Sequence, residues 1–210
     1  MESRAPSLTE RRKAATQLEI AKAAARLFAD RGADAVTAEE IAKQAGVAVR
    51  TFYRYFRTKE DAVAPLLTVG AGHWRALLAA AEPQEELLDA LERTIVEVLT
   101  PRSDADLESL RWTLGLLRAS ADDPALQFVW FRVNGESEAQ LRDIVATLAG
   151  PDAEPYAVRL VAAAATVALR VALEACAAEE SFSDPGAPAA LASRALRELT
   201  AGVELYPARA

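Results

Sequence analysis

The sequence predicts an all-α fold of about nine helices, with a three-helix N-terminal unit ahead of a larger helical one. Three observations carry this. Proline is absent between Pro6 and Pro65, then recurs at 83, 101, 124, 151, 155, 185, 188 and 207. Spacings of roughly 20–30 residues suit long helices closed by proline or glycine. β-branched residues nowhere alternate as a strand would need, whereas alanine-rich segments repeat at helical spacing. Charge is also unevenly placed. Residues 1–60 carry twelve Lys and Arg against eight Asp and Glu, a net +4, including all four lysines (Lys13, Lys22, Lys43, Lys59). Residues 61–210 carry twelve against twenty-three, a net −11, so the chain's total of −7 conceals a basic head on an acidic body.

The first helix is expected from about Ser7 or Thr9 to Arg31, with Leu18, Ala21, Ala25 and Phe28 on one face. Gly32 suits the left-handed position that closes a helix. Thr37-Ala38-Glu39-Glu40 reads as a capping box, and a short helix follows through Ile41, Ala42 and Ala45. Gly46 makes a tight turn. A second short helix starts at about Val47 and carries Val49 to Phe56. Phe52 and Phe56, four apart, face inward, which leaves Val49, Arg50, Tyr53 and Arg54 on the other side. Two short helices about a glycine turn form a helix-turn-helix, whose second helix is shaped to enter a major groove. An ordinary helical corner with a solvated charged face is the competing reading. The capping box, the inward aromatics, the Arg and Tyr face and the local positive charge favour DNA.

Composition removes other functions. The chain has 210 residues, 51% hydrophobic and 26% charged, with one cysteine and one histidine. That excludes an intrachain disulfide, a Cys/His zinc site and the Glu-x-x-His pairs of a di-iron bundle. No metal and no cofactor are expected. No stretch approaches 18 uninterrupted apolar residues and the first six residues lack a signal-peptide core, so no membrane partner and a cytoplasmic location are expected.

The ordered run Leu27-Phe28-Ala29-Asp30-Arg31-Gly32, Val36 to Ala42, Ala45-Gly46-Val47 and Thr51 to Asp61 strongly resembles the DNA-binding domain of TetR-family transcriptional regulators. The resemblance covers about residues 11–63. Beyond it only length and helical character match. It implies a DNA-binding domain over 1–58 (with 1–8 disordered), and an effector-binding and dimerisation domain over 59–210. It also implies a homodimer on a palindromic double-stranded DNA operator, most members being repressors released by a small-molecule effector. By the same resemblance Thr37 caps the second helix and touches a phosphate. Thr51, Tyr55 and Lys59 contact phosphates. Val49, Arg50 and Tyr53 face base edges, and Arg54 serves either purpose. Two positions depart from the usual pattern. Ala48 stands where Ser or Thr is frequent, which removes a side-chain cap worth about 1 kcal/mol. Arg50 stands where a small residue is frequent. It reads guanine or adds a phosphate contact, and the sequence leaves both open.

In the body, Thr58 is expected to cap a fourth helix with Glu60 and Asp61 in its first turn. Pro65 should kink or restart that helix, and Gly70 and Gly72 loosen it. Further helices are expected at about 83–100, 104–121 and 124–149, then from Glu154 to Glu179, and finally after Pro188. His73, Trp74, Trp112, Phe128 and Phe131 are the candidates for an effector pocket, since apolar cavities between helices are lined by such side chains. Core packing is their competing role. They point to an apolar or aromatic effector. Cys176 is expected to be buried. The segment around Val161–Leu169 is apolar over most of its girth and needs two covered sides. Leu160, Val167, Val171 and Ala175 on it, with Leu196 and Leu199 on the last helix, are the candidate dimer interface. Burial within one chain is the alternative.

The leading functional expectation is therefore a ligand-responsive homodimeric repressor. An activator or a regulator controlled by a protein partner has the same fold. An enzyme is disfavoured, because no Walker loop, dinucleotide-binding glycine pattern, nucleophile elbow or second histidine is present. A non-specific architectural DNA binder is disfavoured by the acidic body.

Overall fold

The computed structural model describes residues 7–82, 85–179 and 183–205. Among them are nine α-helices, one short 3-10 turn and no strand. The expected disorder over 1–8 falls outside the described residues for 1–6. Ser7 and Leu8 lie within them, and Ser7 and Glu10 form a reciprocal capping box on α1 (Leu8–Arg31). Gly32 ends α1 with φ 75° but ψ 158°, so it does not take the left-handed helical conformation the sequence suggested. Its N–H donates to Phe28 O at 2.9 Å, and the extended ψ sends the chain straight toward the next helix.

α2 (Ala38–Gln44) and α3 (Val49–Tyr55) flank Gly46, whose φ of 66° is one that glycine adopts without strain. A 3-10 turn (Glu60–Val63) then leads into α4 (Ala64–Ala79), with Pro65 in its first turn. This is the expected restart: proline there lacks only an N–H that would have had no intrahelical partner. Thr58 Oγ1 accepts from the Asp61 N–H, as a cap should.

The body continues with α5 (Leu87–Leu99), α6 (Asp104–Ser120), α7 (Pro124–Ala149), α8 (Pro155–Ala178) and α9 (Ala187–Thr200). α8 packs on α9, α7 and α6, and its Val161, Ala162, Ala165, Ala168 and Cys176 are all but fully buried. By length and composition α8 is apolar enough to cross a membrane. The close cover of α6, α7 and α9 makes it the central core helix of this fold. Alanine makes that possible, since its small side chain lets neighbouring helices approach on several sides.

Several contacts join the head to the body, among them Leu66 of α4 against Ala21 and Ala25 of α1. A Cβ on Gly115 of α6 would lie 2.7 Å from the Ala29 Cβ of α1, so only glycine allows that approach. Beside it, the Arg26 guanidinium stacks 4.1 Å from the Trp112 ring and pairs with Glu108 at 3.6 Å. On the other side, Arg132 of α7 bonds Asp61 of the 3-10 turn at 3.1 Å.

Candidate nucleic-acid interface and internal cavity

The helix-turn-helix is fixed from within. Phe52 is fully buried and Phe56 nearly so, with ring centroids 5.5 Å apart. These two rings pin α3 to the head and turn its opposite face outward. Arg50, Tyr53 and Arg54 are exposed, while Val49 and Thr51 are half-buried and Val49 packs against the core. Tyr53 stands 54% exposed, with its ring edge-on to Phe52 at 5.3 Å. The Arg54 guanidinium lies 4.9 Å over the Tyr55 ring and donates to its hydroxyl at 3.2 Å. The two side chains therefore form one bonded pair.

At the start of α2 the Thr37 hydroxyl accepts from the Glu40 N–H at 3.2 Å, and the Glu40 carboxylate accepts from the Thr37 N–H at 2.8 Å. Arg31 adds a bond to the same carboxylate at 2.9 Å. The Thr37 backbone N–H, followed by Arg31 and the Thr37 hydroxyl, pulls the Glu40 pKa down to about 2. α3 has no side-chain cap at Ala48. Lys59 is positioned differently from the other DNA-facing candidates. Its Nζ donates to Ala33 O at 2.7 Å and Val36 O at 3.0 Å. Those bonds brace the α1–α2 loop, and Glu60 Oε1 lies 3.8 Å from the same ammonium.

An internal cavity of about 400 Å³ lies between α4, α5, α6, α7 and α8. Its walls are mainly Leu66, Leu67, Val98, Leu110, Val133, Leu169 and Leu173, with the rings of Trp74 and Trp130. Trp74 is 2% exposed, and its indole N–H donates to Thr94 Oγ1 at 3.2 Å, which passes a bond on to Ala90 O. Trp130 donates to Glu174 Oε1 at 2.7 Å, and Arg170 holds that same carboxylate. Both indoles thus present only their apolar faces. At the mouth, Arg102 pairs with Glu97 at 3.1 Å, and its backbone N–H donates to Asp106 at 3.2 Å. The Ser103 hydroxyl, with the Arg102 N–H second, holds the Asp106 carboxyl below the usual carboxylate range.

Of the five pocket candidates, His73 and Trp74 line the cavity. Trp112, Phe128 and Phe131 do not. Trp112 belongs to a small separate cluster with Ala21, Ala25 and Leu66, under Arg26. Phe128 and Phe131 are 67% and 53% exposed on the outer face of α7. Trp130 is the aromatic that points inward, and helical geometry separates it from them. Residues two apart on a helix lie about 200° around its axis, so Phe128 and Trp130 face opposite ways. Trp130, Val133, Asn134 and Ser137 share the cavity face at spacings of three and four. That register was the signal sequence reasoning missed.

Among the dimer candidates, Leu160, Val171 and Ala175 are exposed and Val167 is half-buried, together forming an outward stripe on α8. Leu199 is 45% exposed on α9. Leu196 is 1% exposed and packs within the chain, so it cannot face another copy. Phe131 lies near that stripe, 5.6 Å below the Arg170 guanidinium.

A helix-turn-helix head with an exposed Arg and Tyr face, packed on a helical body around an apolar cavity, defines a bacterial transcription regulator. Residues 20–64 match the family described as bacterial regulatory proteins, tetR family. The HTH-type transcriptional regulator TcmR of Streptomyces glaucescens is 31% identical over 153 residues, which cover 70% of this chain and 66% of TcmR. NalD, the secondary repressor of the MexAB-OprM multidrug efflux pump in Pseudomonas aeruginosa, has the same fold. It matches with a TM-score of 0.60 at 18% identity, over 92% of this chain and 98% of NalD. A TetR-family transcriptional regulator from Rhodococcus sp. matches with a TM-score of 0.57 at 15% identity, over 89% and 100% of the two chains. The chain belongs to the TetR family of transcriptional regulators.

Proposed function

We propose that this regulator is a homodimeric repressor whose α3 enters the major groove of a palindromic operator and whose cavity takes a small apolar or aromatic effector that releases the DNA. The observation that carries this is the sharing of walls. α4, α6 and α7 line the cavity, and the same helices reach the head: α6 through Gly115 on Ala29, α4 through Leu66 against Ala21 and Ala25, and α7 through Arg132 on Asp61 of the 3-10 turn that packs on α1. A ligand that favours a different spacing of those helices also favours a different placement of the head. In this reading residues 1–58 are the DNA-binding domain and 59–210 the effector and dimer domain. The exposed stripe of Leu160, Val171 and Ala175 with Leu199 supports a two-fold contact, which matches a palindromic site. Arg50, Tyr53 and the Arg54–Tyr55 pair contact DNA, and Thr37 and Thr51 contact phosphates.

The test is binding to duplex DNA from the chain's own promoter region at several salt concentrations. A dimer making six to ten phosphate contacts should lose roughly 10³–10⁵ in affinity between 50 and 200 mM salt. Affinity that is equal for scrambled duplexes overturns the operator reading. Removing Arg50 relaxes preference at one operator position if it reads a base, and weakens all sequences alike if it holds a phosphate.

A further inference from the structure

The cavity's polar groups are mostly satisfied from inside the protein. Thr113 Oγ1 donates to Ser109 O and Thr166 Oγ1 to Ala162 O, each at 3.0 Å. The two indole N–H groups end on Thr94 and Glu174. Ser137 of α7 is different. It is 6% exposed, it lines the cavity, and its oxygen accepts from Arg75 Nη1 at 2.8 Å. Helical serines commonly donate to the carbonyl a turn back. Ser137 does not, and among the described residues its proton has no acceptor.

Arg75 itself is half-buried on α4, and among the described residues no carboxylate pairs with it. Burial pulls its pKa below the usual guanidinium value, with no compensating acid nearby, yet it stays charged at neutral pH. A hydroxyl that accepts from a desolvated cation is polarised to donate strongly. The acids at the mouth do not offset this charge for a ligand, because Glu97 and Asp106 are already held by Arg102 and Ser103. The cavity therefore presents apolar rings, one buried donor without an acceptor that has a positive charge behind it, and no unmatched acid; His73, Ser109 and Asn134 also line it but are less buried.

We propose that Ser137, backed by Arg75, is the polar anchor of the cavity and takes an acceptor oxygen (carbonyl, ionised phenol or carboxylate) on an otherwise apolar ligand, at the expense of amphiphilic cations. The inference rests on the cavity being the effector site. Ser137 is the donor that touches the ligand, and Arg75 acts through it as a positioning and polarising residue.

The experiment titrates the full chain with four probes of one shape: naphthalene, 2-acetonaphthone, 2-naphthoate and the 2-naphthyltrimethylammonium cation. Quenching of tryptophan fluorescence reports binding, since Trp74 and Trp130 line the cavity. The ketone and the carboxylate should bind about tenfold tighter than naphthalene, and the cation more weakly than naphthalene. Ser137→Ala should erase the advantage of both oxygenated probes over naphthalene, with folding of the variant checked by its helical circular dichroism. Ser137→Thr should restore part of the advantage. Arg75→Met should lose more affinity for the carboxylate than for the ketone. Equal affinities for naphthalene and the two oxygenated probes overturn the anchor, as does an advantage that survives in Ser137→Ala, or a cation that binds tightest. If none of the four binds, the effector reading of the cavity falls first and the anchor with it. That outcome is distinct from binding without preference.

Discussion

The head and the body are both made of helices, but they are held together by different kinds of interaction. In the head the ordering contacts are local and specific to residue type: two capping boxes, an aromatic pair one turn apart and a lysine bonded to two loop carbonyls. In the body they are broad apolar faces of leucine and alanine that find partners far along the chain, as α8 does with α6, α7 and α9. The head needs one shape to fit a groove, so its shape is written into single residues. The broad faces of the body leave an unfilled space of about 400 Å³ that a tightly specified core would not, as the proposed effector site requires.

The contrast is broken most directly by removing one aromatic from each region. Phe52→Ala empties a fully buried site in contact with Phe56 and Tyr53. It should cost about 3–5 kcal/mol and abolish DNA binding. Phe131→Ala removes a ring that is more than half exposed, and should change monomer stability by no more than about 0.5 kcal/mol. Urea unfolding of both variants at low protein concentration measures the difference. Similar losses at the two positions would mean that Phe131 is covered, and hence that a second copy contributes to the measured stability.

A pair of glycines sharpens the same comparison at the seam. Gly115→Ala places a Cβ 2.7 Å from the Ala29 Cβ and should destabilise by about 1–3 kcal/mol while separating α6 from α1. Gly135→Ala, on an exposed part of α7 with nothing within 4 Å of the new atom, should stabilise by about 0.5–1 kcal/mol. Thermal unfolding of the two variants should move in opposite directions. DNA affinity should fall only for Gly115→Ala.

These differences explain what the sequence made legible. The capping box at Thr37, the inward Phe52 and Phe56, the missing cap at Ala48 and the restart at Pro65 are short-range features, and each is present as expected. The cavity lining was largely hidden, because which face of α7 turns inward depends on α4 and α8. Composition alone drew attention to Phe128 and Phe131, although the 3.6-residue period already set Trp130 against Phe128. Ser137 and Arg75 are 62 residues apart, and no local pattern joins them. Lys59 was legible as a conspicuous cation, but its bonds to Ala33 and Val36 depend on how the α1–α2 loop folds back.

A smaller effect is expected at the start of α2. Thr37→Ala should cost about 1 kcal/mol by removing the acceptor for the Glu40 N–H. Acid titration adds a sign. The Glu40 pKa is lowered to about 2 in the folded chain, so its contribution is present in full above the ordinary carboxylate range. It is lost as pH falls from about 4.5 toward 2, where the folded carboxylate gains its proton. Wild type should therefore lose stability across that window, and Thr37→Ala, lacking one of the partners that lower this pKa, should lose less. Equal acid sensitivity in the two proteins would place the acid-labile group elsewhere, for example at Asp106 in the body.

A small effect is expected at the joint between the regions, from the ion pair between Arg132 of α7 and Asp61 of the 3-10 turn that packs on α1. Both side chains are about one-third exposed, at 33% and 35%, and Arg132 also reaches Glu136 at 3.4 Å. Water screens a pair of this kind, so its coupling energy in a double-mutant cycle of Asp61→Asn and Arg132→Gln should be under about 1 kcal/mol and should shrink with salt. A small energy is suited to the position. In the proposed mechanism a strong bond between α7 and the entry to α4 would oppose movement of the head, whereas a weak one would exchange for water if the helices around the cavity shift. The cycle should therefore show a modest coupling in stability together with an altered ratio of DNA affinities in the presence and absence of a bound naphthyl probe. A coupling well above 1 kcal/mol, with that ratio unchanged, would make the pair a rigid brace and would move the flexible joint to the Gly115–Ala29 side.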